Sequence, residues 1–302
     1  MSITLNPNSD TGTTASAPGT PEPPRRTRTG AVRFVRNTPI GVWVAAAVLT
    51  FLVLAAILPS VFLQQDPFEI DPANAFAAPG AGHPFGTDQN GRDVFSRVIA
   101  GTGQSLLLGL AATAIGLLLG GLLGITAGIS GKWVDSAICR FVEILFAFPG
   151  LLLALIVIAV SGTGVVTAAL AVGVGTAPGY ARMLRTQTLQ VVAAPYVETA
   201  LSLGRSRSHI LWHTIVPNVA RPLFVLVTLG IGQAIVWASS LSFLGLGAQP
   251  PAAEWGAMLA DGRNYLQVAW WIAAFPGIFI TLAALTTTVV GHHLQRRLEA
   301  EV

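Results

Sequence analysis

The sequence predicts an all-α polytopic membrane protein with six transmembrane helices and both termini in the cytoplasm. Three observations carry this. Hydrophobic residues make up 52% of the 302-residue chain and charged residues only 10%, against about 25% charged in soluble domains. Five stretches contain no Asp, Glu, Lys or Arg: 37–65, 98–131, 144–181, 222–253 and 264–295. The basic residues fall mostly on one side of the topology those stretches define. A bilayer crossing takes about 20 mostly apolar residues. Backbone groups cannot go unpaired in lipid, so runs this long and uniform are helices.

Taken in order, residues 1–36 are rich in Ser, Thr, Pro, Gly and Asn and end in a basic run of Arg25, Arg26, Arg28, Arg33 and Arg36. Such a tail buries too little to offset its ordering entropy and is expected to be disordered. The first span is placed at about 40–62, and residues 37–103 hold it with an outer segment. It starts too late and runs too long for a cleaved signal peptide, although Ala73-Asn74-Ala75 resembles a cleavage site. In the outer segment, Asp88 is expected to cap a helix begun by Arg92–Arg97. The second span follows at about 104–129. The longest charge-free stretch holds Ser161-Gly162-Thr163-Gly164, a turn signal. It therefore divides into two spans, about 137–160 and 165–185. The last two are expected at about 222–244 and 272–294. Residues 104–297 form the main membrane unit.

Orientation follows from charge. With the N-terminus inside, 14 of the 17 Lys and Arg residues lie inside, and only Arg92, Arg97 and Arg263 lie outside. That satisfies the positive-inside rule.

Several chemistries are argued against. The span interiors contain no Asp or Glu, whereas ion-coupled transporters place carboxylates there. The only Gly-Lys pair, Gly131-Lys132, is followed by Trp133 and has Thr126 where a P-loop needs its first Gly. A single cysteine, Cys139, excludes an intrachain disulfide and a cysteine metal cluster. Gly128-Ile129-Ser130-Gly131 with His292 or His293 leaves open an intramembrane serine hydrolase, which would need Ser–His contact. The other reading of that motif is a glycine-capped helix end.

The inner loop from Ala194 to Leu223 is the most informative segment. Pro195 can start a helix, Glu198 complements its dipole, Gly204 breaks it, and Ile210, Leu211, Ile215 and Val216 give a second half an apolar face that Pro217 ends. By pattern alone this is a basic helix–Gly–helix elbow, or an amphipathic connector on the membrane surface.

The spacing of Glu198, Ala200, Gly204 and Pro217 resembles the EAA loop of ABC-importer permeases, with Thr199 and Val216 as departures. His83–Gly101, Ser130–Leu155 and Ser240–Leu266 also resemble the DppC/OppC-type permease subunit of dipeptide and oligopeptide ABC importers, the peptide/nickel branch. The likeness runs from about residue 35 to 297. It implies a type I ABC-importer permease fold in a bacterial plasma membrane. It implies that Glu198, Thr199, Ala200, Gly204, Arg205 and Ser206, in a coupling loop of about 194–217, dock on a cytoplasmic ATPase. The implied partners are a second homologous permease, one fused or two separate ATPases, an extracytoplasmic solute-binding protein and membrane lipid, with no nucleic acid. No cofactor is expected in this chain, since ATP and Mg belong to the ATPases. The resemblance implies that outer residues 83–101 face the binding protein; by pattern alone they read equally as an amphipathic helix lying on the membrane surface. Cargo stays open between peptides, nickel, opines and peptide-like siderophores.

Overall fold

The structure, a computed structural model, describes residues 39–220 and 223–300. The tail 1–36, Arg221 and the first residue of the expected fifth span lie outside the described residues. Apart from one isolated bridge between Thr87 and Asp93, the described residues are helical or irregular.

Helix α1 (Ile40–Ile57) stops at Leu58 because Pro59 has no N–H to continue the ladder, and a single turn, Pro59–Phe62, follows. Helix α2 (Val94–Ile129) has 36 residues, about 54 Å of rise. The expected span 104–129 and the expected outer helix are thus one element. Asp93 caps it, accepting a 2.7 Å hydrogen bond from the Ser96 N–H. Asp88, the expected cap, instead closes the preceding turn by accepting from the N–H groups of Asn90 and Arg92.

The expected third span, 137–160, is broken. Helices α3 (Lys132–Ala147) and α4 (Gly150–Ser161) meet at 93°. Pro149 pushes Phe148 into an extended conformation at φ −89° and ψ 134°. The Ser161–Gly164 turn forms as expected, with Gly162 and Gly164 at positive φ. Helix α5 (Val165–Val192) then runs seven residues past the expected end at 185. The elbow opens with α6 (Pro195–Ser202), and after it come α7 (Leu223–Phe243), α8 (Trp255–Gly262) and α9 (Trp271–Ala300).

Among the described residues, four helices are long and apolar enough to cross a membrane, in α1, α2, α7 and α9. The bent α3–α4 pair makes a fifth if it counts as one span. Helix α5 is long enough but is not among them, and it carries Arg182 and Arg185 within its second half.

Helices α2 and α5 share the most extensive interface. It is built on small residues: Gly116, Gly120, Gly124 and Gly128 recur every fourth position and face α5. A Cβ at Gly120 would sit 2.8 Å from the Ala177 carbonyl oxygen, so only glycine permits this approach.

One end of the bundle is held by a buried polar core. Arg97, 2% exposed, donates to the carbonyls of Pro67 (3.2 Å), Ala252 (3.3 Å) and Pro251 (3.5 Å), and its Nε lies 3.7 Å from Asp88. Asp88 also pairs with Arg92 at 2.6 Å. Glu254 caps α8 by accepting from the N–H groups of Gly256 and Ala257, and Ser105 of α2 donates to it. Burial pushes the Glu254 carboxyl up, against the pull of those hydrogen bonds. Burial also raises the Asp261 carboxyl, despite the opposing charges of Arg97 and Arg92. Trp255 and Trp271 complete the cluster, donating through Nε1 to the carbonyls of Val98 and Thr87.

Candidate functional site

At the opposite end of α2 and α5 stands the elbow. Helix α6 begins with Pro195 in its first turn, where the missing N–H costs nothing, and Glu198 follows in that turn. Its far end is a left-handed glycine cap. The Gly204 N–H donates to the Leu201 carbonyl (2.9 Å), and the Arg205 N–H donates to the Ala200 carbonyl (3.2 Å). This paired closure requires positive φ at the residue after the cap, and Gly204 sits at φ +76°. The four-residue interval from Ala200 to Gly204 is therefore set by hydrogen-bond geometry. Two residues later Ser206 starts the next helical turn, its Oγ accepting from the His209 N–H at 3.3 Å.

The second arm runs Arg207–Ile210, then a wider π-helical turn at Leu211–Ile215, then a helical turn at Val216–Ala220. Pro217 was expected to end this arm. Instead the helix re-forms around it, because the turn restarting at Val216 puts Pro217 where no N–H is needed. The inner face of the elbow is fixed: Val197, Ile210, Ile215 and Val219 are buried against Leu184 of α5.

The structure brings all six expected residues onto this elbow. Glu198, Thr199, Gly204, Arg205 and Ser206 are exposed, and Ala200 is half-buried. Thr199 Oγ1 donates to the Pro195 carbonyl at 2.9 Å, and Arg205 Nη1 lies 3.1 Å from His209 Nε2. His209 stacks on His213 with centroids 4.2 Å apart. Beside them stand apolar side chains that sequence reasoning did not single out. Leu203 is 74% exposed, Trp212 is 64% exposed, and Tyr196 and Leu201 are also exposed. Their signal was present: apolar residues placed off the buried face of a short helix. Exposed apolar groups rimmed by Arg205, Arg207 and Glu198 form a surface suited to a protein partner.

No hydrogen bond joins Ser130 to His292 or His293 among the described residues; His293 instead accepts from Arg297 at 2.9 Å. Ser130 ends α2 in an extended conformation at φ −85° and ψ 164°, so the expected helix end is present without a left-handed glycine cap. Gly245, just after α7, forms a second left-handed cap at φ +79°.

Long apolar helices, a closed elbow at one end and a cross-braced polar core at the other describe a polytopic membrane protein. The chain belongs to the family of binding-protein-dependent transport system inner membrane components, whose pattern it matches over residues 120–301. It is 39% identical to the probable D,D-dipeptide transport system permease protein DdpC of Escherichia coli, over 92% of this chain and 94% of that one. It is 36% identical to the dipeptide transport system permease protein DppC of Alkalihalophilus pseudofirmus, covering 86% and 85%. It is 37% identical to the glutathione transport system permease protein GsiD of Pectobacterium atrosepticum, covering 89% of each. Among solved structures, the MetNI methionine ABC transporter in an inward-facing conformation shares the fold at a TM-score of 0.55 and 16% identity, covering 67% of this chain and 95% of that one. The chain is thus a permease subunit of a membrane transport system, with a transport role and not an enzymatic one.

Proposed function

We propose that this chain forms half of the translocation pathway of an ATP-driven importer of dipeptides or oligopeptides in a bacterial plasma membrane. The elbow carries the proposal: a rigid, exposed, glycine-capped turn at the inner end of the bundle, rimmed by Glu198, Thr199, Gly204, Arg205 and Ser206. In this reading the elbow docks on a cytoplasmic ATPase, which binds ATP and Mg. A second permease supplies the other half of the pathway, and a solute-binding protein delivers cargo to the Arg97-braced end. The names of the relatives favour peptide cargo, and the glutathione permease among them keeps a peptide-like thiol within that class.

The test is reconstitution. In proteoliposomes with the second permease, the ATPases and the binding protein, uptake of a dipeptide should require ATP and every subunit. The chain alone should show neither uptake nor ATP hydrolysis. Specific ATPase activity of the isolated chain would contradict the proposal.

The proposed topology has six crossings, the third being the bent α3–α4 pair, with both termini in the cytoplasm. Single cysteines in a Cys139→Ser background report sides. Exposed positions 73 and 268 should react with an impermeant thiol reagent in intact cells, and exposed positions 205 and 296 should not. Labelling of position 205 from outside would reverse the orientation and remove the docking role.

A further inference from the structure

We infer that α3 and the inner half of α5 form a binding site for an anionic phospholipid, with the headgroup between the two helices and the acyl chains along the outward face of α3. The leaflet, though not the site, rests on the proposed orientation.

Helix α3 presents three distinct faces. One packs on the bundle through Val142, with Ile138 and Leu145 half-buried, and is tied by Asp135 to Arg185 of α5 through hydrogen bonds of 2.6 and 2.7 Å. A second is polar: Lys132, Ser136, Arg140 and Glu143, with Arg140 and Glu143 paired at 3.2 Å. The third is apolar and open. Trp133 is 91% exposed, Ile144 60% and Phe141 49%. A helix of this kind lies in a membrane interface.

Geometry places it there. Helix α4 has 12 residues, about 18 Å of rise, short of the ~30 Å hydrocarbon core. Its hairpin end is held at the end of α7, where the Gly164 N–H donates to the Leu246 carbonyl at 3.2 Å. The right-angle bend then turns α3 along the far leaflet, at the end of the bundle that carries the elbow.

Between α3, α5 and α2 lies an open cavity of about 250 Å³ lined by Cys139, Glu143, Arg182, Arg185, Gly124 and Ala127, among others. Arg185 is engaged by Asp135. Arg182 lies over the Phe146 ring at 4.3 Å and makes no ion pair among the described residues. The charged lining is Arg182 and Arg185 with one carboxylate, Glu143; Asp135 engages Arg185 and Arg140 engages Glu143, so the charge of Arg182 is left uncompensated among the described residues. Basic pockets between helices on the cytoplasmic side hold lipid headgroups in this way. The excess of positive charge beside an open apolar helix face selects an anionic lipid over a neutral one.

The full chain, purified in detergent with phosphatidylglycerol and phosphatidylcholine in equal amounts, should retain phosphatidylglycerol in native mass spectrometry. The exposed Arg182 tolerates substitution. Arg182→Gln should lower the phosphatidylglycerol-bound fraction about fivefold, as expected for one surface cation. Arg182→Lys should retain most of it, and Arg263→Gln, at the other end of the bundle, should change nothing. Millimolar glycerol 3-phosphate should not compete, which separates a lipid from a free phosphate ester. Equal retention of both lipids, or full retention in Arg182→Gln, would overturn the site. So would a photo-crosslinker at position 141 that captures the second permease, and not lipid, in the native membrane. None of these readouts requires transport, so failure of the importer assignment would be seen separately.

Discussion

Gly204→Val should sharply reduce transport while leaving the chain in the membrane at near wild-type abundance. Gly204 holds φ +76°, which a β-branched residue adopts only at a cost of about 1–3 kcal/mol. That corresponds to roughly a fivefold to hundredfold loss in a docking equilibrium that needs this conformation. A Cβ at Gly204 would meet nothing within 4 Å in this chain, so the effect acts through the backbone and through the partner's surface. The hydrogen bonds from Gly204 to Leu201 and from Arg205 to Ala200 would open, and Glu198 and Arg205 would lose their fixed relation. The elbow's buried anchor is untouched, which preserves insertion. Glu198→Ala should act in the same direction but more weakly, since a first-turn carboxylate contributes about 0.3–1 kcal/mol. Ser130→Ala should act on neither transport nor abundance. Uptake by proteoliposomes, with co-purification of the ATPase as a second readout, measures all three.

Arg97→Leu should have the larger effect on stability. The guanidinium bridges Pro67 on one loop to Pro251 and Ala252 on another, beside Asp88. Leucine fills part of the volume but leaves those carbonyls and the Asp88 carboxylate without the charge that satisfies them. Removing one partner from a buried charged network costs about 3–5 kcal/mol. A loss on the order of 10 °C in the apparent melting temperature of the detergent-purified chain follows. Arg97→Lys should recover part of it, keeping the charge without the planar fork.

These two sites differ in how visible they are in the sequence. Gly204 could be read because a glycine cap is local: its partners lie within five residues, and spacing alone reveals it. The breaks at Gly162 and Gly164 were readable for the same reason. Pro149 stood in plain view, yet the 93° bend it makes was missed because the run around it is apolar throughout. Counting charge-free residues locates lipid-compatible segments but is blind to direction. The same count hid the full length of α2, whose first turns carry Arg97 and stand beyond the apolar run. Arg97 itself reads as an ordinary outer basic residue. Its partners at Pro251 and Ala252 lie more than 150 positions away, and no local pattern announces such a contact. Between Asp88 and Asp93, both placed before a helix, only backbone conformation decides which one caps it. The Gly116–Gly128 stripe was readable as a four-residue repeat, and its meaning appears once α5 is seen against it.

In the proposed function, the elbow of residues 194–217 meets an ATPase in the cytoplasm. The most direct test places a photo-crosslinking residue at Leu203, 74% exposed on the elbow, in cells expressing the whole transport system. A specific crosslink to the ATPase subunit is expected, and it should be lost in Gly204→Val. A Leu203 crosslink confined to lipid, or one formed with the extracytoplasmic binding protein, would contradict this contact.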